Sequence, residues 1–163
     1  MACNDSIVIN ASPLITLCKS QQEDLLPLLF TNIIIPAVVW HEVMIQQPPD
    51  RAALCLPNLA WLTRADVQPI PPIIQAWDLG AGETAVLAFA LAHPDFVAVL
   101  DDRAARRCAR SLQRQTVGTV GLLVLAKQRG LIPAVTPRLE QLQQAGLWLS
   151  DSLIESVKQQ ADE

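Results

Sequence analysis

The chain contains no tyrosine, and its four tryptophans and three phenylalanines make up only 4% of the residues. A sheet that binds RNA by stacking bases on aromatic rings therefore has little to be built from. Excess positive charge is missing too, since the formal net charge is -4 and the isoelectric point lies near 5.1. That balance argues against a protein that coats nucleic acid non-specifically, and it leaves room for a local basic stripe. The four cysteines, Cys3, Cys18, Cys55 and Cys108, show no Cys-x-x-Cys spacing and do not cluster with His41 or His93. Neither a zinc site nor a disulfide framework is indicated, which fits a reduced cytosol. The longest apolar stretches, such as Thr84 to Ala92, are too short to span a bilayer, and Met1-Ala2-Cys3-Asn4-Asp5 lacks the basic start of a signal peptide. A soluble, cytoplasmic protein with no membrane partner is expected. The Gly80-Ala81-Gly82 turn is too short for a dinucleotide fingerprint and has no Walker lysine, so it reads as a flexible approach to Glu83.

What is present is enough apolar residue to build a core. At 163 residues and 51% hydrophobic, the chain is long enough for one domain over residues 1–163 and too apolar to be disordered. Ser6-Ile7-Val8-Ile9 is a short apolar strand that stops at Asn10, and Ser12-Pro13 reads as an N-cap with proline at the first helical position. Glu23 to Phe30 reads as a short helix despite Pro27, Asn32 to Ile35 as a second strand, and Pro36 opens a helix to about Gln46. Gln47-Pro48-Pro49-Asp50 breaks the pattern. A short helix over Arg51 to Leu54, a minor or edge strand over Ala60 to Thr63 and a turn at Pro69-Ile70-Pro71-Pro72 follow. From Glu83 to Ala92 runs a helix that is apolar nearly all round and so must be buried, closed by His93-Pro94. Phe96 to Leu100 is a strand, Arg103 to Arg110 a basic helix, Thr116-Val117 a short strand, and Gly118 or Thr119 to Gln128 a helix ended by Gly130. Two more helices are expected over Pro137 to Gln144 and Ser150 to about Gln160. Strands alternating with helices imply a parallel sheet covered on both faces and joined by right-handed crossovers.

That topology gathers oxygen-bearing residues at one edge. Asn10 and Asp101 each end a core strand, so both lie at the carboxyl edge, where ligands collect in open α/β sheets. The helix carrying Glu42 leaves the same edge, and the helix that begins at Glu83 runs antiparallel to the strand it feeds, which returns Glu83 to that edge. Adjacent carboxylates such as Asp101 and Asp102 repel unless a cation or several donors hold them. Hard divalent ions, Mg2+ or Mn2+, want such a cluster, and on a phosphate it supports metal-assisted phosphodiester hydrolysis.

Each residue also has a structural reading. Asp102 can be the N-cap of the basic helix with Asp101 solvated beside it, Glu83 a first-turn acid favoured by the helix dipole, Glu42 part of a wet helix face, and Asn10 a turn residue. The stripe of Arg103, Arg106 or Arg107, Arg110 and Arg114 shares one helix face in this reading; it can grip phosphates or simply be solvated. His41 and His93 do not enter the site.

Five segments in order carry a resemblance: Val8-Ile9-Asn10-Ala11-Ser12-Pro13-Leu14-Ile15, Ile35-Pro36 with Glu42, Leu79-Gly80-Ala81-Gly82-Glu83, Leu100-Asp101-Asp102-Arg103-Ala104-Ala105-Arg106, and Gly118-Thr119-Val120-Gly121-Leu122-Leu123. From about Ile7 to the helix after Ser150 the chain resembles the PIN domains, in the branch of nucleic-acid-binding PIN proteins related to VapC-type toxins. The resemblance implies a three-layer α/β/α fold around a mainly parallel sheet of four to five strands. It also implies a Mg2+- or Mn2+-dependent ribonuclease. Asn10 stands where PIN domains usually have the first-strand Asp, Glu42 matches the acid on the following long helix, Glu83 the acid opening the central helix, and Asp101 with Asp102 the acid after the next strand. Asn10, Glu42, Glu83, Asp101 and Asp102 would then hold one or two metal ions, the four acids being catalytic. Ser12, Arg103, Arg106, Arg107, Arg110 and Thr119 would meet the RNA, Thr119 matching a small hydroxyl near that edge. A homodimer restrained by a small antitoxin is the implied assembly.

The departure is Asn10, whose amide oxygen can bind Mg2+ but brings no charge. It keeps open a weak or inactive descendant that binds RNA or a protein partner without cleaving. A receiver-like signalling domain would need a phosphoacceptor Asp and a supporting Lys at strand ends, and Asn10 and Thr116-Val117 supply neither.

Overall fold

In the computed structural model, which describes residues 5–163, the first strand β1 (Ser6–Ile9) is wholly apolar beyond Ser6, with Ile7, Val8 and Ile9 fully buried. A strand buried on both faces belongs in the middle of a parallel sheet, and β1 lies there. It pairs with β2 (Asn32–Pro36) on one side and β4 (Phe96–Val99) on the other. The outer strands are β3 (Leu62–Ala65), beyond β2, and the two-residue β5 (Thr116–Val117), beyond β4. The order β3-β2-β1-β4-β5 is parallel throughout. β3 carries exposed Thr63 and Arg64, and β5 is only two residues long, as sheet edges commonly are.

Between β1 and β2 come α1 (Ala11–Lys19) and α2 (Leu25–Leu29), and between β2 and β3 come α3 (Ala37–Met44) and α4 (Arg51–Cys55). α5 (Pro72–Gln75) and α6 (Ala81–Ala92) lead back to β4, α7 (Arg103–Ser111) joins β4 to β5, and α8 (Thr119–Gln128), α9 (Thr136–Gln144) and α10 (Asp151–Gln160) close the chain. The steps from β1 to β2 and from β4 to β5 go in opposite directions across the sheet, so right-handed crossovers put α1 and α7 on opposite faces. α8 packs on α1 and α2, while α6 crosses β1, β2 and β4 and touches α7. The result is the expected three-layer α/β/α arrangement, with five strands among the described residues. α3 touches both α1 and α6. Along α6, Ala85, Val86, Leu87, Ala88 and Ala90 are buried, as its nearly uniform apolarity demanded.

Several local expectations shift. α1 starts at Ala11, with Asn10 rather than Ser12 in the extended cap position. Pro13 is tolerated there because the first-turn N–H groups have no intrahelical partner to lose. β3 covers Leu62–Ala65 rather than Ala60 to Thr63, and the proline-rich turn contains the unforeseen α5, opened by Pro72. α7 ends at Ser111 and Gln113 adopts a φ of 56°, so Arg114 leaves the basic helix face and its Nε donates to the Leu112 carbonyl. At the other end, Glu163 reaches back to the start of α9. Its carboxylate accepts from the Val135 N–H at 2.6 Å and from the Thr136 N–H and hydroxyl at 3.2 and 2.7 Å, and it meets Lys127 Nζ at 3.3 Å. These donors, the Thr136 hydroxyl first, bring its pKa down to about 2. Cys3 lies outside the described residues. Among the described residues no helix is long and apolar enough to cross a membrane.

Candidate active site

The chain leaves β1 and β4, which are neighbours, toward opposite sides of the sheet. The crevice at their carboxyl ends is therefore the topological switch point, the place where open α/β sheets bind ligands. Asn10 follows β1 directly and its N–H donates to the Val99 carbonyl at 3.1 Å, which fixes it against the end of β4. The Asn10 carbonyl accepts from Leu14 and begins α1, but the side chain makes no capping bond. The residue is only 3% exposed, and among the described residues its Oδ1 has no hydrogen-bond partner. A buried acceptor left unpaired costs about 1–3 kcal/mol, so such an atom calls for a partner from outside the protein.

Glu42 meets it there. A Cβ on Gly82, in the first turn of α6, would fall 2.7 Å from Asn10 Oδ1 and 2.9 and 3.2 Å from the two carboxylate oxygens of Glu42. The amide oxygen and the carboxylate thus point to one spot, held open because residue 82 has no side chain. The Gly82 N–H donates to the Glu42 carboxylate and favours its charge, as the positive end of a helix does. Burial, and then the neighbouring Glu83 carboxylate, outweigh that donor and push the Glu42 carboxyl above its usual range. Glu83 itself is half-buried and turned back over Gly80. A carboxylate whose charge is disfavoured by burial and by a second carboxylate, beside an orphaned oxygen, marks a place where a cation would be stabilised.

Asp101 is held more tightly. Its Oδ1 accepts from the Thr119 N–H at 2.8 Å and its Oδ2 from the Thr119 hydroxyl at 2.6 Å, with Thr119 fully buried at the start of α8. Gly118 makes room for this pair, since a Cβ there would lie 3.0 Å from Asp101 Oδ1 and 2.8 Å from Arg106 Nη1. Asp102 is exposed and caps α7 through the Ala105 N–H at 2.8 Å, so the capping role suggested by its position is the one its carboxylate performs.

The structure therefore groups Asn10, Glu42 and Glu83 in one corner. Asp101 sits with Thr119 at the neighbouring strand end, and Asp102 lies on the rim. Among the described residues no three His, Cys, Asp or Glu side chains form a ready-made metal cluster. The donors present are all oxygens, one of them an unpaired amide, around a cradle that a single Cβ would fill; that chemistry fits Mg2+ or Mn2+ and not a soft ion.

Arg103, Arg107 and Arg110 are exposed along α7, and among the described residues none has an ion-pair partner. Arg106 instead turns inward, donating from Nη1 to the Leu100 carbonyl at 3.2 Å. Ser12 is exposed on α1 with its carbonyl bonded to the Thr16 hydroxyl. Gly82 is not the flexible approach expected from the sequence; it is a buried helical residue whose lack of a side chain shapes the site. A glycine inside a helix costs about 1 kcal/mol relative to alanine, and that cost was the readable signal of a close approach.

A family model described as a PIN domain matches residues 6–163. No curated protein and no solved structure matches the chain.

Proposed function

The chain belongs to the PIN-domain family, whose membership indicates nuclease-type function with divalent metal ions as the usual cofactor, and from that premise we propose that it is a Mg2+- or Mn2+-dependent endoribonuclease. The observation that carries the reading is the buried, unpartnered Oδ1 of Asn10 meeting the Glu42 carboxylate over Gly82. Asn10, Glu42, Glu83 and Asp101 would hold the ion, with the second oxygen of Asp102 available at the rim. When bound, the ion supplies an activated water and offsets the charge developing on the phosphate. Thr119 keeps Asp101 aimed by engaging both its oxygens. Arg103, Arg107 and Arg110 hold phosphates of the RNA, while Arg106 braces the turn after β4. Ser12, exposed near the start of α1, is within the same crest and would touch the backbone of the substrate.

This reading takes the protein as cytoplasmic, homodimeric and restrained by a small antitoxin, after its resemblance to VapC-type toxins. A second reading is favoured by one observation, the neutral amide at position 10: a catalytically weak regulator that retains RNA without cutting it. Incubating the protein with structured and unstructured RNAs in Mn2+ separates the two. The nuclease reading expects cleavage that stops with EDTA and in Glu83→Gln. Equal cleavage by both proteins points to a contaminant and overturns it, and retention without cleavage favours the regulator.

A further inference from the structure

Beside the acidic corner lies a cavity of about 480 Å³, within the size range of small-molecule sites. It is bounded by the start of α3, the first turns of α6 and the segment after β3. Val38, Val67 and Ile70 give it aliphatic walls, and exposed Asp66 and Gln68 contribute polar groups. Its lining shares two helices with the candidate site: Thr84, on its lining, follows Glu83, and Val38 precedes Glu42 by one helical turn.

We propose that this cavity receives the base of an unpaired nucleotide flanking the scissile phosphodiester and selects bases that carry an exocyclic amino group. The inference rests on the ribonuclease reading and adds the substrate class to it. The strand order supplies the argument. Along the carboxyl edge, the cavity stands at the ends of β2 and β3, Asn10 follows β1, Asp101 follows β4, and the arginines of α7 come next. With strands spaced ~4.8 Å apart, the end of β2 lies only about 10 Å from the end of β4. An RNA strand that crosses this crest with its phosphates on the α7 arginines and one phosphodiester at the carboxylates brings a neighbouring base over the cavity. A base paired in a duplex cannot enter such a recess, so the site takes single strands or loops. Among the described residues no aromatic ring lines the cavity, so the base is held by aliphatic contact and read at its edge. Asp66 offers only acceptors, and these match the amino groups that cytosine and adenine carry at one edge position and guanine at another, whereas uracil carries no amino group.

The experiment cuts a single-stranded RNA of mixed sequence in Mn2+ and sequences the new ends for the wild type, Val38→Phe and Asp66→Asn. The wild type should disfavour uracil at one position beside the cut by about 10-fold, the worth of a single hydrogen bond. Val38→Phe, which fills the cavity from an already exposed position, should flatten that preference to within about 2-fold while its Mn2+ binding isotherm matches the wild type. Asp66→Asn, whose amide offers a donor to uracil, should relax the preference by a separate route and covers the case in which Val38→Phe fails to fold. Cleavage with no base preference, or with a preference that both variants retain, assigns the cavity to another occupant and overturns the inference while the nuclease reading stands. Absence of both Mn2+ binding and cleavage in the wild type overturns the two together.

Discussion

Replacing Gly82 by alanine separates the candidate site from the stability of the fold. The new Cβ would sit 2.7 Å from Asn10 Oδ1, which must retreat by about 0.7 Å to reach an ordinary 3.4 Å contact, and the Glu42 carboxylate at 2.9 Å must also move. A Mg2+ shell tolerates only about ±0.2 Å around its ligand distances, so a displacement several times larger removes both donors from it. Disturbing a metal site in this way costs at least about 10-fold in affinity. Stability should behave differently. Alanine in a helix is worth up to about 1 kcal/mol over glycine, and this offsets the cost of turning a half-buried carboxylate toward water. Urea unfolding of Gly82→Ala in EDTA should then fall within about 1 kcal/mol of the wild type, while calorimetric titration with Mn2+ shows the lost affinity. A wild-type Mn2+ isotherm in the variant would refute the reasoning, because the Asn10–Glu42 corner would then lie outside the ion's coordination shell.

Four further outcomes are expected. Asn10→Asp should tighten Mn2+ binding by calorimetry, since a charged ligand replaces a neutral one; an unchanged isotherm places residue 10 outside the shell. Thr119→Val keeps shape but removes the 2.6 Å hydroxyl bond to Asp101, which should cost about 2 kcal/mol in chemical denaturation at neutral pH and leave Asp101 held by the backbone N–H of residue 119 alone. A stability equal to the wild type would mean that the bond contributes nothing. Because the Glu163 pKa is depressed from 4.5 to about 2, its stabilisation is complete above the unfolded value and fades as pH falls from 4.5 toward 2. Glu163→Gln should therefore lower the melting temperature at pH 7, the gap closing through that acid window; a gap that persists at pH 2 contradicts the assignment. Arg107→Ala together with Arg110→Ala should weaken RNA binding uniformly across sequences and flatten the dependence of log affinity on log salt by roughly one unit per arginine. A sequence-selective loss would place them on bases instead.

The apolar runs of β1 and β4 and the uniformly apolar α6 were legible because a doubly covered parallel sheet leaves no other place for them. Their order alone carried Asn10, Glu42, Glu83 and Asp101 to one sheet edge. Finer features depended on partners distant in sequence. Ser12-Pro13 and Asn10 offer two competing helix starts, and the backbone bond from Asn10 to Val99 selects the earlier one. α5 was hidden because Pro69, Pro71 and Pro72 read as a turn, although proline also suits a first helical turn. The basic stripe is shorter than its three- and four-residue spacing implies, since Gln113 reverses the chain before Arg114. Within the site, the approach of α3 to α6 could not be seen along one dimension, so Gly82 looked like slack when it is an aperture. Asp101 was legible as a strand-end acid, but its clasp by Thr119, eighteen residues on, is a product of β5 lying beside β4.

The amide at the end of the innermost strand also bears on how the molecule is assembled. Closing the sheet brings the Glu42 and Glu83 carboxylates to that buried corner but no third charge from residue 10. Self-repulsion during collapse is correspondingly smaller, and the polypeptide can reach its native state with the crest empty of counterions. On the proposed metal-dependent reading, maturation of the fold would then be uncoupled from ion supply, and protein starved of metal would be intact and inactive instead of unfolded.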